Sequence, residues 1–261
     1  MEYETLKLSY KDKIGIITFN RPDKLNAMSQ KFFAELLSAT KEMDDNDDVV
    51  VVIIKGEGKA FSSGLDFYDF LQNFKNNKQG KTDEEFLNEN VIFMQDSISS
   101  IENSKKIYIA AVHGYCVGGG LDLASTCDMR VASQDAVFSI LETQIGVVAD
   151  LGSIQRLPRI IGEGNVRLLA YTSMKIDAKK ALSIGLVNEI YKDKDEMLNG
   201  AFEIAREIVS KPKEAVLGTK TALNYGLTHS TEESLRFAAR FNANLFDYDT
   251  VKNRFLSNVK K

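Results

Sequence analysis

The stretch that decides the fold runs from Ile107 to Pro158. It reads IYIAAVHGYCVGGGLDLASTCDMR over 107–130 and, after VASQD, AVFSILETQIGVVADLGSIQRLP over 136–158. Ile107–Val112 is a short uninterrupted apolar run, the pattern of a strand covered on both faces. The glycine run Gly118-Gly119-Gly120 follows it and opens a segment of helical character. Three carboxylates, Asp122, Glu142 and Asp150, stand among apolar or small residues. Burial disfavours an ionised carboxyl group, so acids in such surroundings point to chemistry.

The flanking sequence extends this pattern. Val49–Lys55 is a second fully buried strand, bounded by Gly56 and Gly58. Ile14–Asn20 reads as a strand ended by Arg21-Pro22-Asp23. Leu6, Leu8 and Tyr10 alternate with polar residues, which predicts a strand with one buried face. Phe32, Phe33, Leu36, Leu37, Thr40 and Met43 fall at helical spacing, and Glu84–Asn103 is helical. The polar, Asn- and Lys-rich segment from about Gln72 to Thr82 reads as a mobile loop. Alternating strands and helices argue for an α/β unit with parallel strands. After Gly152 the character turns helical, over Arg167–Tyr171, Ala178–Ile184, Glu196–Val209 and Pro212–Tyr225. Ser230 and Glu233 form a capping-box pattern that opens a helix to about Asp247. The expected division is a β/α core over residues 1–195 and a helical region over 196–261. The latter carries Phe237, Phe241, Leu245, Phe246 and Phe255, apolar surface of a kind that packs against another subunit.

Composition narrows the function classes. The 261 residues are 44% hydrophobic and 27% charged, with 37 acidic against 33 basic side chains and a net charge of −4. A nucleic-acid partner calls for a basic excess or stripe, and neither is present. The apolar runs are too short to span a bilayer. Cys116 and Cys127 form no CxxC pair, which argues against a zinc site and fits a reducing compartment. The N-terminal MEYETLKLSYKD lacks a signal core, and the terminal NVKK is not the peroxisomal S-K-L tripeptide. No targeting signal is therefore expected in the chain as it stands.

The glycines admit two readings. His113 to Gly120 lacks the Lys-Ser/Thr of a phosphate-binding loop and the Rossmann spacing. What remains is a strand-to-helix turn, which either serves tight packing or offers free backbone N–H groups to a developing oxyanion. A second such turn, Ala60-Phe61-Ser62-Ser63-Gly64-Leu65-Asp66, follows the Val49–Lys55 strand. On neighbouring parallel strands the two turns meet at one carboxyl edge, where open α/β sheets bind ligands. A lone acid is commonly a helix cap, and Asp128, close to Arg130, reads as structural. Three together fit general acid–base catalysis, because clustered carboxylates raise one another's pKa. A Cys116–His113 nucleophile pair is disfavoured, since Cys116 reads as a small buried apolar residue. Paired carboxylates also occur in glycosidases, but such enzymes do not call for two glycine turns on parallel strands.

Asn20-Arg21-Pro22 through Asn26-Ala27-Met28, the 60–66 turn, AAVHGYCVGGGLDLASTCDMR, IGVVADLGSIQRLPRIIG and the AxxxGLVN segment ending at Asn188 together resemble the enoyl-CoA hydratase/isomerase (crotonase) family, in order over about residues 4 to 248. The resemblance implies the crotonase fold, an α/β architecture of repeated ββα units with a C-terminal helical trimerisation region. It implies an acyl thioester of coenzyme A as substrate, with no separate cofactor or metal, and a homo-oligomer, either a trimer or a dimer of trimers. The oxyanion hole falls on the N–H groups of Leu65 and Gly119, and substrate binding on Ala27, Ser62, Ser63, Gly64, Leu65, Asp66 and Gly119. By resemblance the compartment is mitochondrial or peroxisomal.

The carboxylates then select the subgroup. Typical hydratases have Glu where this chain has Asp122, and Pro-Gly-x-Gly-Gly where it has Ala149-Asp150-Leu151-Gly152-Ser153. The triple Asp122, Glu142, Asp150 is similar to that of Δ3,5-Δ2,4-dienoyl-CoA isomerases of fatty-acid β-oxidation. That likeness implies Glu142 at C2 and Asp150 at C6 as the acid–base pair, with Asp122 orienting the substrate or tuning the pair. The tail YDTVKNRFLSNVKK departs from the EGxxAFxEKR-like segment of hydratases. The alternatives are a 2-enoyl-CoA hydratase in which Asp122 and Glu142 hold the water, and a non-catalytic or RNA-binding protein of the same fold.

Overall fold

The computed structural model describes residues 3–78 and 80–259. Met1, Glu2, Gln79, Lys260 and Lys261, and with them parts of the terminal and loop segments read above, lie outside the described residues. Two compact units divide the chain, residues 1–207 and 208–261.

The first unit begins with strands β1 (Leu6–Lys11) and β2 (Ile14–Phe19), helix α1 (Gln30–Asp45), β3 (Val51–Gly56), helices α2 (Phe67–Asn76) and α3 (Asp83–Asn103), and β4 (Ile107–Val112). It continues through β5 (Tyr115–Val117), α4 (Gly119–Thr126), β6 (Met129–Ser133), β7 (Val137–Ser139), α5 (Ser153–Ile161), α6 (Glu163–Thr172), β8 (Ile176–Asp177), α7 (Ala178–Ser183), β9 (Glu189–Tyr191) and α8 (Lys194–Val209). Six strands form one sheet in the order β1-β2-β3-β4-β6-β9, and β5-β7-β8 form a second. Only β1–β2 in the larger sheet is antiparallel; β2–β3, β3–β4, β4–β6 and β6–β9 are parallel. This is the α/β arrangement that the apolar runs predicted. β2 and β4 are buried at every position, as strands covered on both faces must be.

The first strand is less covered than its alternation suggests. Leu6 is buried, Leu8 is half-buried, and Tyr10 is 45% exposed, because β1 is an edge strand. Helix α1 is capped by Ser29, which accepts the Phe32 N–H, and it buries Phe32, Phe33, Leu36, Ala39, Thr40 and Met43. Phe19 stacks edge-on against Phe32 and tilts against Phe61, at centroid separations of 5.0 and 5.1 Å.

One expectation is corrected. The polar segment from Gln72 is not loop throughout: α2 runs to Asn76. Asp66 caps its start, and Phe70 and Phe74 lie one turn apart, with Phe74 edge-on to Phe86 of α3 at 5.6 Å. That aromatic contact outweighs the polar composition around it.

The second unit holds α9 (Lys213–Gly226), α10 (Thr231–Leu245) and α11 (Tyr248–Val259). The capping box at Ser230 and Glu233 is formed in both directions. Tyr225 stacks on Phe237 at 4.1 Å, joining α9 to α10. Phe246 and Phe255 remain exposed. No helix among the described residues is long and apolar enough to cross a membrane.

Candidate active site

The site grows from the ends of two neighbouring parallel strands. Beyond β3 the chain runs beside the segment that follows β4. Phe61 N–H donates to His113 C=O at 2.8 Å, Ser62 N–H to Tyr115 C=O at 2.9 Å, and Val117 N–H to Ser62 C=O at 3.2 Å. The two glycine turns therefore meet at one carboxyl edge, as the sequence predicts. Gly64 takes φ +90° and Gly118 φ +52°, conformations that side chains other than glycine resist. A Cβ on Gly64 would stand 2.8 Å from the Val117 oxygen and 3.2 Å from the Gly119 nitrogen, so the close approach of the two backbones needs glycine at this position.

Leu65 sits in a parallel bridge with Met28, formed by Met28 N–H to Gly64 C=O and Asp66 N–H to Met28 C=O. Gly119 is the first residue of α4, where backbone donors lack intrahelical acceptors. Neither the Leu65 nor the Gly119 N–H has an acceptor among the described residues. Both residues line a cavity of about 350 Å³. Glu142 and Asp150 line the same cavity, with Phe70, Val91 and Met94 on its apolar side.

Glu142 opens a short 3-10 turn, Glu142–Ile145. Its Oε2 is buried without a hydrogen-bond partner. Its Oε1 lies 3.3 Å from where a Cβ on Gly118 would stand, next to the oxyanion donors. Burial raises its pKa, and the charge of Asp150 raises it further. Asp150 is exposed at the cavity, yet partial burial raises its carboxyl group too. Its C=O accepts the Gln95 side-chain amide at 2.6 Å.

Asp122 is placed differently. It is 1% exposed and does not line the cavity. Its carboxylate accepts the Ser153 N–H at 2.5 Å, at the start of α5. Burial pushes its pKa up to about 7, helped by Glu142 and Asp150 and opposed by the hydrogen bond from the Ser153 N–H. Asp122 therefore reaches the site through charge and through α5, not by touching the cavity.

The other residues singled out in the sequence divide in the same way. Ser63 and Gly64 line the cavity. Ser62 is fully buried; its hydroxyl donates to Asn26 C=O at 2.9 Å and accepts Gly64 N–H at 3.1 Å, bracing the turn from within. Ala27 lies outside the cavity lining, its C=O held by Arg21. Asp66 caps α2 and pairs with Arg21 at 2.9 Å; the hydrogen bonds and charge of Arg21 and the Asp69 N–H outweigh burial and lower its pKa. Cys116 is buried with its thiol raised well above the usual range by burial, as expected of a packing residue. Asp128 accepts the Tyr108 N–H at 2.7 Å, a structural role. The sequence reading passed over the wall formed by Leu87, Val91 and Met94, although their spacing along α3 places them on one helical face.

Comparison with known proteins agrees with this geometry. Residues 9–260 match the model of the enoyl-CoA hydratase/isomerase family. The chain is 38% identical to a peroxisomal Δ(3,5)-Δ(2,4)-dienoyl-CoA isomerase of Arabidopsis thaliana, over 99% of this chain and 95% of that one. It is also 38% identical to the mitochondrial enzyme of that name from Mus musculus, over 96% and 78% respectively. A Thermobifida fusca YX protein solved in complex with acetoacetyl-CoA superposes with a TM-score of 0.81 at 26% identity, covering 92% of this chain and 94% of that one. With its sheet order, paired glycine turns and match over nearly its whole length, the chain belongs to the enoyl-CoA hydratase/isomerase family and has the crotonase fold.

Proposed function

We propose that this protein is an acyl-CoA isomerase that converts 3,5-dienoyl-CoA to 2,4-dienoyl-CoA. The observation that carries the reading is a second carboxyl group, Asp150, on the cavity that already holds Glu142 and two free backbone donors. Adding water across one double bond does not call for an acid at this position. Moving two conjugated double bonds requires a proton to leave C2 and another to arrive at C6.

In this reading the thioester oxygen accepts the N–H groups of Leu65 and Gly119. Glu142, next to Gly118, faces C2, and Asp150, which shares the cavity with the apolar side chains of α3, faces C6. Ionised Glu142 takes a C2 proton. The electron pair of that bond delocalises through the C3 and C5 double bonds as a dienolate, its charge on the thioester oxygen. Protonated Asp150 gives its proton to C6, leaving double bonds at C2 and C4. Glu142 ends protonated and Asp150 ionised, and proton exchange with solvent resets the pair. Two carboxyl groups of raised pKa on one cavity can share one proton, which is the starting state these steps need. Asp122 tunes the pair by its charge and steadies the start of α5. Carboxyl groups and main-chain donors suffice for these steps, so the reading calls for no metal or redox cofactor; coenzyme A enters as part of the substrate.

The same reading includes a homotrimer or dimer of trimers, supported by the exposed Leu235, Phe246 and Phe255 of the second unit. It also includes a fatty-acid-oxidising compartment, since the two relatives above are named as peroxisomal and mitochondrial.

Incubation with a 3,5-dienoyl-CoA tests the activity through the absorbance of the 2,4-conjugated product. Brisk hydration of crotonyl-CoA with no such rise would reject the isomerase. Asp150→Asn should lower isomerisation by about 10²–10⁴-fold, the worth of a positioned acid, while any hydration that uses Glu142 persists.

A further inference from the structure

The segment IGVVADLGSIQRLP contains an arginine, Arg156, that no step above uses. It lies in the first turn of α5, just beyond the residues that carry Asp150. Its Nε donates to Glu102 Oε2 at 2.7 Å, and Nη2 donates to Ser99 Oγ at 2.9 Å. Its Nη1 donates to the C=O of Leu151 at 3.3 Å. One residue earlier, the C=O of Asp150 accepts the Gln95 amide at 2.6 Å. The peptide groups on either side of Leu151 are therefore both tied to α3, the first by Gln95 and the second through Arg156.

The tie is specific in three respects. Gln95, Ser99 and Glu102 follow one another at i, i+4 and i+7, so they share one face of α3. Leu87, Val91 and Met94 repeat the same spacing on the adjoining face, which lines the cavity. A single helix thus walls the cavity and holds the loop bearing Asp150. The guanidinium also fills the space above Gly152, where a Cβ would stand 1.7 Å from Nη1. Gly152 takes φ +124°, so the chain bends sharply beneath the arginine. Finally, the planar fork serves three acceptors in three directions, which a lysine ammonium on a flexible stem does not reproduce.

We propose that Arg156, locked by Glu102 and Ser99, is a positioning residue that sets where the Asp150 carboxyl group stands relative to Glu142, with Gln95 as a second point of attachment. It does not line the cavity. The catalytic half of this inference rests on the isomerase reading of Asp150; the structural half does not.

The test uses the full-length protein with Arg156→Gln and Arg156→Lys. Amide hydrogen exchange is followed by mass spectrometry in residues 147–153 and, as an internal reference, in residues 60–66. Alongside, kcat and KM are measured for a 3,5-dienoyl-CoA, together with deuterium uptake at C2 of a saturated acyl-CoA, a step that needs Glu142 and the backbone donors alone. Arg156→Gln should speed exchange in 147–153 several-fold and leave 60–66 unchanged. It should lower kcat by about 10–100-fold, the scale of a misplacement near 1 Å, with KM within about twofold and C2 uptake largely kept. Arg156→Lys should recover part of the loss. Unchanged exchange in 147–153, equal loosening of both segments, or loss of C2 uptake in step with kcat would each overturn the proposal. If Arg156→Gln does not fold, Gln95→Ala takes the same readouts under the same criteria. A wild-type protein inactive on the dienoyl substrate, with selective loosening in Arg156→Gln, would reject the isomerase reading and leave the positioning of the 147–153 segment standing.

Discussion

The Asp122 carboxylate and the Ser153 N–H are hydrogen-bonded at 2.5 Å, joining the helix that follows the glycine run to the helix that follows Asp150. This bond places a fully buried acid between the two parts of the site. Its raised pKa has a direct consequence for stability. A carboxyl group whose pKa rises on folding favours the folded state below its unfolded pKa, and that contribution is lost as pH rises through the folded value. For Asp122 the window runs from the ordinary value of 3.8 to about 7. Above it the folded protein carries a buried charge. Asp122→Asn keeps an oxygen for the Ser153 N–H and removes that charge. It should stabilise the protein at pH 8, by roughly 4 kcal/mol at most, and leave it nearly unchanged at pH 4. Thermal unfolding at the two pH values checks this; a larger gain at pH 4 than at pH 8 would contradict it.

The rate of dienoyl isomerisation should follow a bell in pH. The acidic limb reports the group that must be ionised and the alkaline limb the group that must be protonated. Burial raises both Glu142 and Asp150, so both limbs should lie above the ordinary carboxylate range of about 4. Glu142→Gln should abolish the acidic limb along with most of the rate. A kcat profile flat from pH 4 to pH 9 would refute the two-carboxylate pair.

Gly64 offers a test of the main-chain donors that leaves every carboxylate in place. A Cβ there would meet Val117 O at 2.8 Å and the Gly119 nitrogen at 3.2 Å, at φ +90°. Gly64→Ala should displace one donor and lower kcat by about 10²–10³-fold, the usual cost of losing an oxyanion contact. Turnover of a 3,5-dienoyl-CoA measures it, and a loss below about threefold would remove Leu65 and Gly119 from the mechanism.

Light scattering tests the assembly. A mass of three or six chains is expected, and Phe255→Asp should shift it toward smaller species, because that ring is 66% exposed in the isolated chain. A wild-type monomer at micromolar concentration would contradict the proposal.

Much of this was legible in the residues. Val49–Lys55 and Ile107–Val112 announced buried parallel strands because no polar residue interrupts their apolar centres. Glu142 and Asp150 stood out because acids beside Ile, Val and Ala are costly to ionise. Side-chain contacts across long separations were not legible. Asp122 could be seen to be buried, but nothing in GGGLDLAS indicates a bond to Ser153. Asp66, grouped with the substrate contacts, is engaged by Arg21 and by the start of α2. The Phe74–Phe86 contact carries α2 into a stretch whose composition is that of a loop. These relationships depend on how strands and helices bring distant positions together, which local spacing does not encode.

In the proposed mechanism the donors at Leu65 and Gly119 belong to the main chain, whereas the two proton-handling groups, Glu142 and Asp150, are side chains. The two parts can therefore change independently. Replacing Asp150 or Glu142 alters which bond a proton leaves or joins, but leaves the means of polarising a thioester intact. A chain built this way can acquire a different reaction through one or two substitutions on the 142–150 segment, without passing through a form that no longer engages the carbonyl group.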